Sequence, residues 1–368
     1  MLKDLLSRPR STSLVVVALA AVVLGCGGGG GGGGGSNGSS ATTATTATTV
    51  TTATNGTSAG TDGNAGNLPA NRVFYVEDDP TGTTYDVKFI AEDGSGAGTY
   101  QAGFPIDSTA NSPDPSVPGQ IVFAAQPAGA TKLGIYRNTS TSTNGATTIV
   151  APSYGEIISL QVARDGSKVV YVAANTLGGT PGVFVVSTNP GATPVRLDDA
   201  LDASLSSAGD RVVYNKYPPS GGLPDIYVFV LGEGAPHRIT NDSLDEAEPQ
   251  FSKDGSQIVF SQSVSGSDRY RLVKVNLQTG ATNILDPLPT ASLRGPSFNN
   301  DATRVSFVGQ SPTDDSVNGV YTASAIDGTG LSKLVTSVRL MPVTYWTTTL
   351  GRGPGGIPFG LNLPRRKH

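Results

Sequence analysis

The chain has 368 residues, of which 48 are glycine and 15% are charged, and its formal net charge is −4. This acidic balance excludes non-specific nucleic-acid binding, which needs a basic surface. A single cysteine excludes an intrachain disulfide and a cysteine-rich zinc site, and two histidines leave little material for histidine-based metal or acid–base chemistry. We expect no cofactor.

Residues 1–25 have the pattern of an export signal. Lys3, Arg8 and Arg10 give a positive region, and residues 14–24 form an apolar run. The run is shorter than the roughly 20 residues that span a bilayer. It therefore predicts the core of a signal peptide.

The end of this run resembles the bacterial lipobox, with the sequence Val-Leu-Gly-Cys at 23–26. The resemblance implies cleavage after Gly25 and acylation of Cys26, whose lipid chains would hold the protein on a membrane. By the same resemblance, Gly27 permits passage to the outer membrane, where an aspartate would retain the protein in the inner membrane. Two alternatives stay open: ordinary signal cleavage with a free Cys26, and an uncleaved signal anchor.

Residues 26–70 predict a disordered tether. Nine glycines follow Cys26, and the Ser-, Thr- and Ala-rich stretch 36–67 contains Val50 as its only aliphatic residue larger than alanine. Such a segment cannot bury enough apolar surface to offset the entropy of ordering. A flexible chain of this length has a reach of about 35 Å.

From residue 71 onward a short pattern recurs six times, at intervals of 43 to 48 residues. Each copy has a polar residue, then mainly β-branched residues, then an aromatic residue at the fourth position, as is typical of strands. The copies are RVFYV from Arg72, QIVFA from Gln120, KVVYV from Lys168, RVVYN from Arg211, QIVFS from Gln257 and RVSFV from Arg304.

A second strand pattern follows each copy, then a turn containing glycine and a further short strand. Another strand precedes most copies and is joined to them by tight turns such as Asp165-Gly166 and Asp254-Gly255. Each unit is thus a four-stranded meander, with strands a, b, c and d. Units of this kind stack radially, which predicts an all-β, six-bladed β-propeller over residues 71–348. The Gly- and Pro-rich residues 349–368 predict an irregular tail.

The two ends of the repeat region predict how the propeller closes. The first unit begins at strand b, whereas an extra strand a, RLMPVTYWT from Arg339, follows the sixth unit. We therefore expect the C-terminal strand to complete the first blade, which removes an open sheet edge. Tyr345 and Trp346 are expected to pack in this blade.

Residues 237–280 contain Ile239-Thr240-Asn241, then Pro249 and Phe251-Ser252, then Asp254-Gly255 with the following Ile258-Val259-Phe260. With these motifs the segment resembles the repeat of the TolB-type, WD-repeat-like β-propellers of bacteria, except that Lys253 replaces the usual proline. The resemblance covers about residues 72–347 and implies a propeller, while saying little of function. TolB-type proteins carry a further N-terminal domain where this chain has the predicted tether.

The candidate binding residues lie in the d-to-a connections, which surround the central channel of a propeller together with the b-to-c connections. A ring of acids there suits a cation or a basic ligand; a solvated rim of loops is the simpler interpretation. The candidates are Asp198, Asp199, Asp202, Asp242, Asp245, Glu246, Glu248, Arg294 and Arg339, and Glu77, Asp78, Asp79, Asp314 and Asp315 lie in b-to-c connections. His237 is expected on the surface.

These features predict a lipid-anchored, monomeric propeller that acts as a protein- or ligand-binding scaffold at the bacterial cell envelope, with an envelope protein as its partner. No G-x-S-x-G nucleophile motif occurs, and we expect no enzyme. One alternative is a carbohydrate-active lyase or hydrolase that uses carboxylates of the channel face. Another alternative is a cell-surface adhesin.

Overall fold

The computed structural model describes residues 72–78, 80, 84–105, 111–113, 121–138, 143–163 and 165–346. The predicted signal peptide, Cys26, the tether 26–70, Asp79 and the tail 349–368 lie outside the described residues. Within the described ranges, no helix has the length and apolar character needed to cross a membrane.

The described residues form 24 β-strands, most of them four to eight residues long, and one 3₁₀ helix at Asp315–Val317. The first eleven strands are β1 Arg72–Asp78, β2 Thr84–Ala91, β3 Gly98–Pro105, β4 Asn111–Pro113, β5 Ile121–Ala125, β6 Leu133–Asn138, β7 Thr147–Tyr154, β8 Glu156–Val162, β9 Lys168–Ala174, β10 Gly182–Ser187 and β11 Val195–Asp199. The others are β12 Asp202–Leu205, β13 Arg211–Lys216, β14 Asp225–Val230, β15 His237–Arg238, β16 Glu246–Phe251, β17 Gln257–Ser263, β18 Tyr270–Asn276, β19 Thr282–Leu285, β20 Ser292–Phe298, β21 Arg304–Gln310, β22 Gly319–Ser324, β23 Ser332–Thr336 and β24 Leu340–Trp346.

These strands pair into six four-stranded antiparallel sheets among the described residues. The first sheet has the order β24-β1-β2-β3, and the others are the meanders β4–β7, β8–β11, β12–β15, β16–β19 and β20–β23. The all-β fold class and the four-strand repeat are confirmed.

The C-terminal strand joins the first sheet, as predicted. β24 runs antiparallel to β1, with Val73 opposite Trp346 and Phe74 opposite Tyr345. Leu340 of β24 is buried in one apolar cluster with Val73 of the first sheet and Val308 of the sixth. The chain therefore enters β1 and leaves β24 at the same end of this sheet.

The aromatic fourth position of the repeat explains how each sheet is held against its neighbours. That residue is buried in all six copies: Tyr75, Phe123, Tyr171, Tyr214, Phe260 and Phe307. In three sheets its ring stacks on an aromatic ring directly opposite on strand c, with Tyr171 and Phe184 at 5.2 Å between centroids. Apolar clusters then join the second sheet to the third, and so on through the sixth to the first. Cross-strand aromatic pairs and burial together stabilise this radial packing.

The polar first position of the repeat has a role that the sequence pattern did not predict. Lys168 Nζ donates to the carbonyl oxygen of Gly209 at 3.1 Å, and Arg211 Nη1 donates to that of Gly255 at 2.9 Å. Each of these glycines lies in the a-to-b turn of the following sheet and has a positive φ, as those turns require. In the third and fourth sheets, the side chain that opens strand b therefore ties its sheet to the next one.

Candidate functional site

The d-to-a and b-to-c connections lie at the end of the sheets where the inner strands begin. We call this end the loop face; it comprises 175–181, 199–202, 216–225, 238–246, 263–270, 285–292, 310–319 and 336–340. The a-to-b and c-to-d turns, and the entry of the chain at Arg72, lie at the opposite end. All nine predicted site residues lie in these connections or within two residues of them along the flanking strands.

Glu248 and Arg294 form an ion pair that joins the fifth sheet to the sixth. Arg294 Nη2 lies 2.7 Å from Glu248 Oε1, and the Gly295 N–H donates to Glu248 Oε2 at 2.7 Å. Ser261 Oγ donates to the same carboxylate at 2.9 Å. Burial opposes the charge on Arg294, but the charge and hydrogen bonds of Glu248 outweigh burial and raise the arginine pKa above its usual value. Arg294 thus keeps its charge, and its contacts with Glu248 link the two sheets.

The backbone of Glu248 is adapted to this contact. Its φ is +58°, in a β-bulge where the pairing of β16 with β17 shifts between Ala247 and Gln250. Gly295 has φ +57° in the matching bulge of β20. A left-handed conformation is costly for a residue with a side chain, so the cross-sheet contacts of the carboxylate offset that cost.

Asp245 and Tyr270 extend the same group of side chains. The guanidinium of Arg294 lies over the Tyr270 ring at 4.4 Å, and the Tyr270 hydroxyl donates to Asp245 Oδ2. Burial, followed by the hydrogen bond to Asp245, raises the pKa of Tyr270 above its usual value. The phenol therefore stays protonated and acts as a hydrogen-bond donor.

Glu246 lies at the start of β16 and is completely buried. Its carboxyl accepts hydrogen bonds from the Thr240 hydroxyl, from Ile226 N at 3.2 Å and from Gln262 Nε2 at 2.9 Å. Gln262 Nε2 also donates to Asp242 Oδ2 at 3.0 Å. Burial is the main cause that raises the pKa of Glu246 to about 7; the hydrogen bonds from Thr240 and Gln262 oppose it, and the charges of Asp242 and Asp225 add to it.

Asp225 belongs to the same junction and was not among the predicted residues. Its side chain is buried and pairs with Arg238 Nη2 at 2.5 Å. Burial raises the pKa of Asp225 against the opposing effect of Arg238. Its other oxygen, Oδ1, is buried without a hydrogen-bond partner.

Three predicted aspartates lie at the end of β11 and the start of β12, namely Asp198, Asp199 and Asp202, and each has a different environment. Asp198 Oδ2 accepts hydrogen bonds from Lys216 Nζ at 2.5 Å and from the Tyr214 hydroxyl at 2.7 Å. Asp199 pairs with Arg196 on the exposed edge of β11. Asp202 Oδ1 accepts a hydrogen bond from the Ala203 N–H at 2.8 Å. The structure therefore does not bring these carboxylates together into one site.

Arg339 lies at the first sheet, away from the other candidates. Its Nε donates to the carbonyl oxygen of Asp78 at 3.0 Å, and its Nη2 lies 3.7 Å from Glu77 Oε1. Burial would raise the pKa of Glu77, but hydrogen bonds from Lys88 and Ser337, with the charges of Lys88 and Arg339, hold it below its usual range. These contacts fix the connection that leads into β24.

Two further predicted residues have local roles. Asp314 accepts from the backbone N–H of Ser316 and caps the 3₁₀ turn that contains Asp315. His237 is exposed on the outer strand β15 and lies 2.8 Å from Glu233.

The loop face is therefore a set of charge pairs within and between sheets, in place of the open ring of acids that the sequence suggested. Within the described part of the chain, no group of three or more His, Cys, Asp or Glu side chains is placed to hold a metal ion. Buried polar contacts also join the inner strands, such as Ser204 Oγ to Gln250 Oε1 at 2.9 Å and Leu205 N to Gln161 Oε1 at 2.5 Å. Whether the nine residues bind a ligand stays a prediction.

Solved structures with the same arrangement of sheets include TolB from Acinetobacter baumannii. The matched region covers 76% of this chain and 67% of the Acinetobacter baumannii protein, with 21% sequence identity and a TM-score of 0.58. A second similar structure is that of a putative TolB from Agrobacterium tumefaciens. The matched region covers 80% of this chain and 98% of the Agrobacterium protein, with 14% sequence identity and a TM-score of 0.50. This chain has the TolB-like β-propeller fold.

The resemblance of the repeat to TolB-type sequences is thus confirmed at the level of the fold. The TolB-like propeller is also similar to a puromycin-hydrolyzing peptidase of Mycobacterium tuberculosis, over 71% of this chain and 45% of the peptidase, with 15% identity and a TM-score of 0.44. A likeness at that level bears on neither activity nor substrate. No protein-family profile and no curated protein sequence matches the chain.

Proposed function

We propose that this chain is a lipid-anchored, extracytoplasmic β-propeller that acts as a protein-binding scaffold at the bacterial cell envelope. The observation that carries the proposal is the lipobox-like sequence at 23–26, followed by a glycine-rich segment and then a propeller. In this proposal Cys26 is acylated, residues 26–70 are the tether, and a monomeric propeller is joined to that tether at β1. The outer membrane is the favoured location because Gly27 follows the cysteine.

The structure supports a binding role in preference to carboxylate catalysis. Glycoside hydrolysis needs one carboxyl as acid and another as base or nucleophile, facing each other across a substrate. Here Glu248 and Asp198 are each held by a cation and further hydrogen bonds. The loop face instead presents exposed apolar side chains on the b-to-c connections of two neighbouring sheets, namely Leu177, Tyr217 and Leu223, which are 71%, 56% and 45% exposed. In this proposal they belong to one apolar patch of the kind that marks protein contact surfaces.

The anchor is tested by Cys26→Ala. We expect the variant to move from the membrane fraction to the soluble extracytoplasmic fraction, because acyl chains on this residue are the proposed attachment. Fractionation in high salt, which weakens electrostatic attachment, measures this. A variant that still sediments with membranes in high salt would contradict the anchor. Gly27→Asp keeps the cysteine and serves as the control, since it should remain membrane-bound.

The partner surface is tested by crosslinking and affinity purification from intact membranes. We expect Leu177→Ser with Tyr217→Ser and Leu223→Ser to reduce recovery of the crosslinked partner about tenfold, as happens when contact residues worth about 1.4 kcal/mol or more are removed. Val195→Ser with Ile284→Ser is the matched control, because these side chains are 59% and 54% exposed on outer strands. Equal recovery of the crosslinked partner with both variants would show that the loop face is not the binding surface.

A further inference from the structure

The junction of the fourth and fifth sheets holds three carboxyl groups close together, those of Asp225, Asp242 and Glu246. A single amide group, that of Gln262, donates to both Asp242 Oδ2 and Glu246 Oε1. Glu246 is completely buried, and Asp225 is 1% exposed. A buried carboxylate is stable only with compensating charge or hydrogen bonds. Hydrogen bonds from Thr240 and Gln262 favour the ionised form of Glu246, whereas burial and the two like charges favour the protonated form, and the latter effects are the larger.

Two cations face this junction, and neither pairs with Glu246. Arg238, from β15, binds Asp225. Arg271, from β18, donates through Nε and Nη2 to the side-chain oxygen of Gln262 at 3.2 and 2.8 Å. The positive charge of Arg271 therefore reaches the carboxyl of Glu246 only through the glutamine amide. Asp225, from β14, and Asp242, from the connection before β16, both face Glu246 as like charges.

Glu246 also holds two connections of the loop face in place. It binds the Thr240 hydroxyl, which in turn accepts from Ile226 N at 2.8 Å. The Glu246 N–H donates to the Pro224 carbonyl oxygen at 3.2 Å, and the Glu246 carbonyl accepts from Asn215 Nδ2 at 2.7 Å. The carboxyl thus contacts the 238–246 connection directly through Thr240, whereas the 216–225 connection is held by the backbone of the same residue.

We propose that Glu246 is a proton-binding site that controls the loop face: the protonated residue holds the 238–246 connection closed, and the ionised residue loosens it. A proton removes the repulsion between Glu246 and its two neighbouring carboxylates and the cost of burying a third negative charge. The elevated pKa of about 7 places the change near neutral pH. This inference depends on the propeller alone and stands whether or not Cys26 is acylated.

The direction of the effect follows from proton linkage. Glu246 has a higher pKa in the closed structure than in the open or unfolded chain, so the closed structure binds the proton more tightly. Its contribution to closure is therefore fully present at pH values below the usual glutamate pKa. It is lost as the pH rises through about 7.

Amide hydrogen exchange of the purified full-length protein tests this. Rates for peptides covering 238–246 are measured at pH 6 and pH 8 and divided by the rates of the unstructured peptides, which removes the intrinsic effect of pH. We expect on the order of a tenfold loss of protection in this segment at pH 8, as for a group whose proton affinity differs at least tenfold between two states. Peptides in the a-to-b turns at 163–167 should keep equal protection at both pH values.

Three variants make the test specific. Glu246→Gln should remove the pH dependence of protection, and Asp242→Asn should move its midpoint to lower pH by removing one repelling charge. Glu233→Gln, an exposed carboxylate of the fourth sheet, should behave as the natural protein. Equal protection of 238–246 at both pH values, or an unchanged midpoint in Asp242→Asn, would overturn the proposal even if Glu246→Gln failed to fold.

Discussion

Ending the chain at Arg339 is expected to abolish cooperative folding of the propeller. The shortened chain lacks β24, so the backbone of β1 loses one of its two partners and Leu340 is lost from the cluster between the sixth and first sheets. An open strand edge also promotes association between chains. The combined loss is comparable with the net stability of a typical protein, about 5–15 kcal/mol. Urea unfolding followed by circular dichroism, with gel filtration to detect aggregates, measures the result.

The matched control for this deletion is a chain that ends at Thr348. It keeps all of β24 and lacks only the predicted tail, 349–368. We expect its unfolding midpoint to equal that of the full-length chain. A soluble monomer with a cooperative transition from the chain ending at Arg339 would show that closure by β24 is dispensable.

Arg294→Met is expected to destabilise the propeller by about 3 kcal/mol, because it leaves the carboxylate of Glu248 largely buried without its cation. The double variant Glu248→Gln with Arg294→Met should recover most of that loss, since the uncompensated charge is then gone. Arg196→Met is the comparison, as its pair with Asp199 is exposed and should contribute less than about 1 kcal/mol. Denaturant unfolding of the four proteins measures the three differences. A loss that persists unchanged in the double variant would contradict the buried-charge explanation.

The sequence was sufficient for the fold because two independent strand patterns keep the same period. The burial of the aromatic fourth position, from Tyr75 to Phe307, shows why the pattern repeats: each copy fills the same place between neighbouring sheets. The sequence also predicted that strand a of the first sheet comes from the C-terminal part of the chain, because the segment from Arg339 aligns with strand a of the earlier repeats. Periodicity thus determined strand order without any long-range information.

The chemistry of the loop face was less predictable because the cations that neutralise the acids come from other strands. Lys216 follows Asp198 by 18 residues and Arg238 follows Asp225 by 13, and neither interval is a feature of the repeat. Glu248 and Arg294 did carry a signal: they are 46 residues apart, about one repeat. Nearly equivalent positions on neighbouring sheets face each other, so an acid and a base one repeat apart can form a pair.

The sequence also contained an indication of the positive φ of Glu248, which the sequence analysis did not use. In the repeat, Glu248 before Pro249 aligns with Gly295 before Pro296. A glycine at one copy of a repeated position suggests a left-handed backbone at the others. Only the structure shows what holds a glutamate in that conformation, namely the guanidinium and the backbone N–H of the next sheet.

The position of β1 between β24 and β2 has a mechanical consequence. A pull along the axis of β1 is resisted at once by both neighbouring strands. The hydrogen bonds on the two sides run across the direction of pull, so they are loaded in shear and must fail together. A strand at a sheet edge would resist the same pull with one row of hydrogen bonds. The strand that receives the upstream chain therefore resists an axial pull with two rows.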